Sequence, residues 1–189
     1  MTTWSEFAAL RPDLATAGRE LLYQHGVGLA FLATVRPDGR PRLHPMCPLV
    51  DRIEGIDRIG GIGSSGSGAE AHRAPGSGAS AEPGLFAFIV PSPKQADLRR
   101  NGWYSMHSFP CPDNEDAFVL TGRAVLVEDP ALRDRLAAQF VAERAAIGVP
   151  LPASDHALFG FELDSCLLTR TSGHGDHTPV HTVWRESES

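Results

Sequence analysis

The sequence predicts a mainly β protein, an antiparallel barrel with helices on its periphery. Two observations carry this. Apolar, strand-length segments follow one another with turn signals between them, and few are joined by the crossover helices that a doubly wound sheet requires. One of them, VGLAFLATVR at Val27 to Arg36, is apolar on both faces, as a strand buried on both sides of a barrel or sandwich must be.

The elements follow in order. Pro12 suits the first turn of a helix, where its missing N–H costs little, and Gly26 closes the far end. Between them Leu14, Gly18, Leu21 and Leu22 share one face at helical spacing. After the strand Val27 to Arg36, Pro37-Asp38-Gly39 makes a turn, proline pre-setting φ and glycine accepting positive φ. Arg40 to Leu49 returns as the second arm of a hairpin. Asp51 to Gly84 then interrupts the pattern. Nine of the 19 glycines and five serines fall there, a composition that builds no core and reads as a long flexible insert. Strand structure resumes at Leu85 to Val90. Ser92 is placed to cap a short helix from Pro93 to Arg100, which Asn101-Gly102 ends. Trp103 to Phe109 and Ala117 to Val127 are further strands. Asp129-Pro130 opens a last helix by the same cap-then-proline logic, with Leu132, Leu136, Phe140 and Val141 on one face. Ala157 to Arg170 and Pro179 to Arg185 complete the strands.

A length of 189 residues suits one domain, taken here to span 1–189, with a core that needs no covalent staple. The charge, 17 minus 23 or −6, argues against a nucleic-acid-binding surface over the whole protein. No apolar run approaches the roughly 20 residues of a membrane-spanning helix. The opening MTTWSEFAAL lacks the basic and then apolar regions of a secretory signal. Cys47, Cys111 and Cys166 lie far apart with no CxxC pair, against a disulfide framework or a cysteine zinc site. The expectation is a soluble, cytoplasmic protein without nucleic-acid or membrane partners.

Several segments have the residue types for chemistry. Ser92-Pro93-Lys94 stands at a strand-to-helix junction, where free N–H groups and the helix dipole favour an anion. A serine hydroxyl and a lysine in the first turn would complete a phosphate cradle. The alternative is a plain cap and a solvated lysine. In Arg40 to Met46, alternation puts Arg42, His44 and Met46 on one strand face. That face is either directed at the cradle, where Arg42 would pair an anion bidentately, or part of an edge strand marked by Pro41 and Pro45. His174, Asp176, His177 and His181 have the chemistry of metal ligands, but their glycine-rich loop lacks a helix to fix them, and it reads as a solvated loop. Gly61 to Gly66 fits GxGxxG without the helix and acidic residue that the dinucleotide motif needs.

Four segments, FLATVRPDGRPRLHPM, LFAFIVPSPKQADLRRNGWYSMHS, FVLTGRA and HTVWR, resemble the pyridoxamine 5′-phosphate oxidase-like family of flavin-binding split β-barrels. The likeness covers about Trp4 to Val50 and Leu85 to Arg185. It implies a six-stranded antiparallel split barrel with flanking helices, forming a homodimer with FMN in a cleft between protomers. By that resemblance Arg42, Ser92 and Lys94 would hold the FMN phosphate. Leu43, His44, Pro45 and Met46 would run past the ring, and Ile89 and Val90 would lie near the ribityl chain. His107 and Ser108 follow on the next strand, while Trp184 and Arg185 would reach the partner protomer's cofactor. The implied activity is that of a flavin-dependent oxidoreductase acting on a small-molecule substrate or electron donor. The alternatives within the fold are a 5-deazaflavin-dependent reductase and a non-catalytic flavin- or haem-binding protein. The residues demand no catalytic acid or base, and no metal site is assigned. Pro93 stands where the vitamin-specific oxidase usually has an arginine, which weakens the case for pyridoxamine phosphate as substrate.

Overall fold

The chain begins with a helix that the sequence reading did not anticipate, α1 (Trp4–Leu10), followed by α2 (Pro12–Tyr23). Thr3 and Glu6 form a capping box: Glu6 N–H donates to Thr3 Oγ1 at 3.3 Å, and Thr3 N–H donates to the Glu6 carboxylate at 2.7 Å. Trp4 and Phe7 are buried by it, and Leu14, Gly18, Leu21 and Leu22 by α2. The computed structural model describes residues 1–51, 84–149 and 156–186.

Eight strands make one antiparallel sheet: β1 (Ala30–Val35), β2 (Pro41–Met46), β3 (Leu49–Val50), β4 (Leu85–Ile89), β5 (Trp103–Ser108), β6 (Ala117–Leu126), β7 (Ala157–Arg170) and β8 (Val180–Arg185). Helix α3 (Pro93–Asn101) lies between β4 and β5, and α4 (Pro130–Ala146) between β6 and β7. Strand order is β2-β1-β5-β6-β7-β4-β3, with β8 also on β7. β2 and β3 therefore stand at opposite ends of the order, yet only Cys47 and Pro48 separate them in the chain. Three Cα steps reach at most about 11 Å, so the sheet must curl until its ends nearly meet. The result is a half-barrel with flanking helices, the mainly β architecture expected. The described sheet has eight strands where the resemblance implies six. The difference includes the two-residue β3 and β8, a hairpin partner laid along β7.

The predicted second arm, Arg40 to Leu49, is divided by this geometry. It stays with β1 only through Met46, and Leu49–Val50 belongs to the other end of the sheet. Inward residues, among them Leu32, Met106, Phe118, Leu120 and Leu163, join Trp4, Phe7, Leu14 and Leu22 in the main core. A second cluster, Leu49, Phe86, Leu132, Leu136, Phe140 and Leu158, sits under α4. Opposite β6, β7 carries one extra residue. Thr121 pairs with Ser165 but Gly122 with Leu163, so Asp164 is left over as a bulge.

Asp51 N–H donates to the Gly84 carbonyl at 2.9 Å, directly beyond the Val50–Leu85 pair. Arg135 of α4 donates to the buried Asp51 carboxylate at 2.5 Å. The chain thus leaves and re-enters through a closed stem. The rest of the expected flexible insert, with the glycine run at 61–66, lies outside the described residues. Among the described residues no helix is long and apolar enough to cross a membrane.

Candidate functional site

The curl that joins the sheet's ends also makes the site, because β2 comes from one end and the β4–α3 junction from the other. Alternation along β2 holds as expected. Arg42, His44 and Met46 face inward, while Pro41, Leu43 and Pro45 are exposed, Leu43 by 63%. The strand is also an edge, as its prolines suggested; the two readings of this segment are compatible.

At the junction Ser92 is the N-cap of α3. Its hydroxyl accepts from Gln95 N–H at 3.4 Å and donates to the Val90 carbonyl at 2.8 Å, and Gln95 Nε2 donates to the Ile89 carbonyl at 2.7 Å. These contacts fix how the chain turns from β4 into the helix. Lys94 then spans the seam, its Nζ donating to the Pro45 carbonyl at 3.1 Å. Burial lowers the Lys94 pKa.

Arg42 Nε donates to Asp97 Oδ2 at 2.8 Å, and Thr34 Oγ1 donates to the same oxygen at 3.0 Å. Asp97 is only 3% exposed. Arg100 lies 3.9 Å from its other oxygen and also donates to the Val35 carbonyl. Beside this group, His44 Nε2 is buried with no hydrogen-bond partner among the described residues. Burial, then the charges of Lys94 and Arg42, lower the His44 pKa against the opposing pull of Asp97.

A depressed imidazole pKa means that the unfolded chain takes up this proton first on acidification. The stability it contributes is present above the ordinary value of 6.5 and is lost as pH falls toward the folded pKa. Melting temperatures of wild type and His44→Gln, taken from about pH 7.5 to about pH 5.5, check this. The wild type should lose more over that range; equal losses would remove His44 from the account.

The structure therefore gathers Arg42, His44, Pro45, Ile89, Val90, Ser92 and Lys94 around the seam. Leu43 and Met46 share β2 with the first three of these, and the remaining candidates lie elsewhere within this chain. Ser108 is fully buried, and its hydroxyl accepts from Phe118 N–H at 3.0 Å. His107 is on the outward face, in register with Phe31 and Pro45, with Nδ1 2.6 Å from the Ser108 carbonyl. Trp184 packs on Phe7 with ring centroids 4.9 Å apart, and Arg185 is exposed opposite Ser165. In the C-terminal loop, Asp176 accepts from Ser172 and Thr178, whose N–H groups push its pKa down to about 2. His174 Nε2 lies 3.2 Å from the Pro112 carbonyl. No cluster of three or more metal-ligating side chains occurs among the described residues.

Sequence reasoning missed Thr34, Asp97 and Arg100. A signal existed for two of them. The Pro37-Asp38-Gly39 turn sets a register that puts Thr34 opposite Arg42, and Asp97 is one turn beyond Lys94 on the same helix face.

No family model and no curated protein matches this sequence. Solved structures do match. A Clostridium acetobutylicum protein related to general stress protein 26, of the pyridoxinephosphate oxidase family, is 12% identical, with a TM-score of 0.54 over 93% of this chain and 95% of its own. A putative pyridoxamine 5′-phosphate oxidase from Listeria innocua is 16% identical, with a TM-score of 0.52 over 82% and 98%. HutZ, a haem storage protein from Vibrio cholerae, is 16% identical, with a TM-score of 0.50 over 79% and 89%. The likeness to these structures is one of fold alone: a curled antiparallel sheet with flanking helices.

Proposed function

We propose that this protein is an FMN-dependent oxidoreductase, working as a cytoplasmic homodimer on a small-molecule substrate or electron donor. The observation that carries the reading is the charge at the seam. Arg42 and Arg100 flank one buried carboxylate, Asp97, and Lys94 reaches the Pro45 carbonyl on the same strand as Arg42, so three cations gather with one carboxylate at the first helical turns of α3. The orphan His44 Nε2 adjoins them. These residues fit a phosphate-bearing cofactor: a phosphate monoester carries up to two negative charges and accepts from charged donors and helix N–H groups alike.

In this reading Lys94 exchanges the Pro45 carbonyl for a phosphate oxygen, and Arg42 and Ser92 complete the cradle. Ile89 and Val90 border the ribityl chain, and Leu43 to Met46 place the ring. When bound, the flavin supplies hydride or electron transfer, while the chain anchors it, orients it and excludes water. A second copy would cover the outward sheet face, which exposes Leu43, Trp103 and Val183, and bring its own Arg185 and this chain's outward His107 toward the cofactor cleft, with Ser108 and Trp184, both packed inward, holding those neighbours in place. Pro93 stands against pyridoxamine phosphate as substrate.

An absorption spectrum of the purified protein, with mass spectrometry of what heat releases, tests the cofactor. Flavin bands with released FMN are expected. A haem band would favour the non-catalytic reading toward which the likeness to HutZ points, and a released deazaflavin the reductase alternative. Lys94→Ala should weaken FMN binding about 10- to 100-fold through loss of one charge-assisted contact. A variant that titrates like wild type would remove Lys94 from the cradle.

A further inference from the structure

Asp97 is the least expected member of the seam: a carboxylate buried next to the core residue Leu98 on a short helix. A carboxylate this buried is costly unless several donors satisfy it. Thr34 from β1 and Arg42 from β2 both donate to Oδ2, and Arg100 lies beside Oδ1. The same arrangement constrains Arg42. Only its Nε is used; the terminal Nη groups have no partner among the described residues, and the side chain is 24% exposed. A long, flexible side chain is thereby held with its outer donors unspent at the edge of a partly enclosed, cationic site.

We propose that Asp97 is a positioning residue, which fixes Arg42 so that its Nη groups are presented to the phosphate of the bound ligand. This rests on the phosphate-cradle reading given above. Holding Arg42 in advance removes much of the ordering cost that binding would otherwise carry. It also explains why the position calls for arginine. A planar guanidinium serves a carboxylate on one side and a phosphate on another, whereas an ammonium is a single point donor.

The proposal runs against simple electrostatics, and that makes it testable. Removing a negative charge from an anion site should by charge alone tighten anion binding. If Asp97 positions Arg42, removing that charge loosens binding instead.

The experiment compares the dissociation constants of FMN and riboflavin, which differ only by the phosphate, for wild type, Arg42→Lys, Asp97→Asn and the double variant, with thermal unfolding of each. The expected result is a wild-type preference for FMN that falls about tenfold in Asp97→Asn and in Arg42→Lys, with riboflavin affinity unchanged. The double variant should lose no more than either single one, because both remove the same held contact. A preference unchanged or raised in Asp97→Asn overturns the proposal and leaves the cradle standing. Should Asp97→Asn fail to fold, Arg42→Lys decides alone: a retained preference overturns positioning, since a bare positive charge would then suffice. A wild type that binds riboflavin as tightly as FMN overturns the cradle, and the proposal with it.

Discussion

Gly122→Ala is expected to destabilise the folded protein by about 3–5 kcal/mol, backbone strain and overpacking acting together. Gly122 has φ of 154°, and a Cβ built there would lie 1.9 Å from the Glu162 carbonyl oxygen. That oxygen belongs to the strand backbone, so no rotamer change can clear it. The position cannot simply shift, because it borders the bulge. Thr121 Oγ1 is bonded to the Asp164 carboxylate and lies 2.6 Å from Ser165 Oγ, holding both strands at the register slip. β7 carries β4 along its first residues and β8 along its last, so disturbance at the slip reaches both. Denaturant unfolding measures the loss. A variant within about 1 kcal/mol of wild type would show that the bulge relaxes more freely than these contacts allow.

Gly28→Ala should cost about 2–3 kcal/mol, an overpacking effect without a positive φ. A Cβ there would meet the Pro48 carbonyl oxygen at 1.9 Å. Pro48 is half of the two-residue link between β2 and β3, so the added methyl pushes directly on the seam. Thermal unfolding should show a fall of about 5–10 °C for a chain of this size. The near-ultraviolet circular dichroism should change as Tyr23, whose hydroxyl accepts from Val50 N–H just beyond the link, is displaced. An unchanged melting temperature would mean that the link has slack, contrary to the reach argument that curls the sheet.

Much of this was legible in local sequence. The Pro37-Asp38-Gly39 turn and the alternation after it placed Arg42, His44 and Met46 on one face. Ser92-Pro93 marked the start of α3, and Asp129-Pro130 that of α4. What escaped was set by distant partners. Nothing near Leu49 says that it leaves β1 for β4, because that pairing depends on the far end of the sheet. α1 escaped because its short run shows only Trp4 and Phe7 to the core, too few for a period. Asp97 stands in a polar stretch with Lys94, Gln95, Arg99 and Arg100 that gives no local sign of burial, and only the curl turns it toward Thr34 and Arg42. The seam residues are near one another in space because of topology, a property that no single segment carries.

The stem formed by Asp51 and Gly84 has a separate consequence, for how this chain tolerates change. Two backbone positions bonded to each other bound residues 52–83, so the strands themselves hold together the ends that any connection there must join. Each doubling of loop length costs only about 0.6 kcal/mol. A change in the number of residues between those ends therefore carries only a small closure cost. The paired ends at Asp51 and Gly84 are thus the place in this fold at which to introduce a guest sequence or open new chain ends.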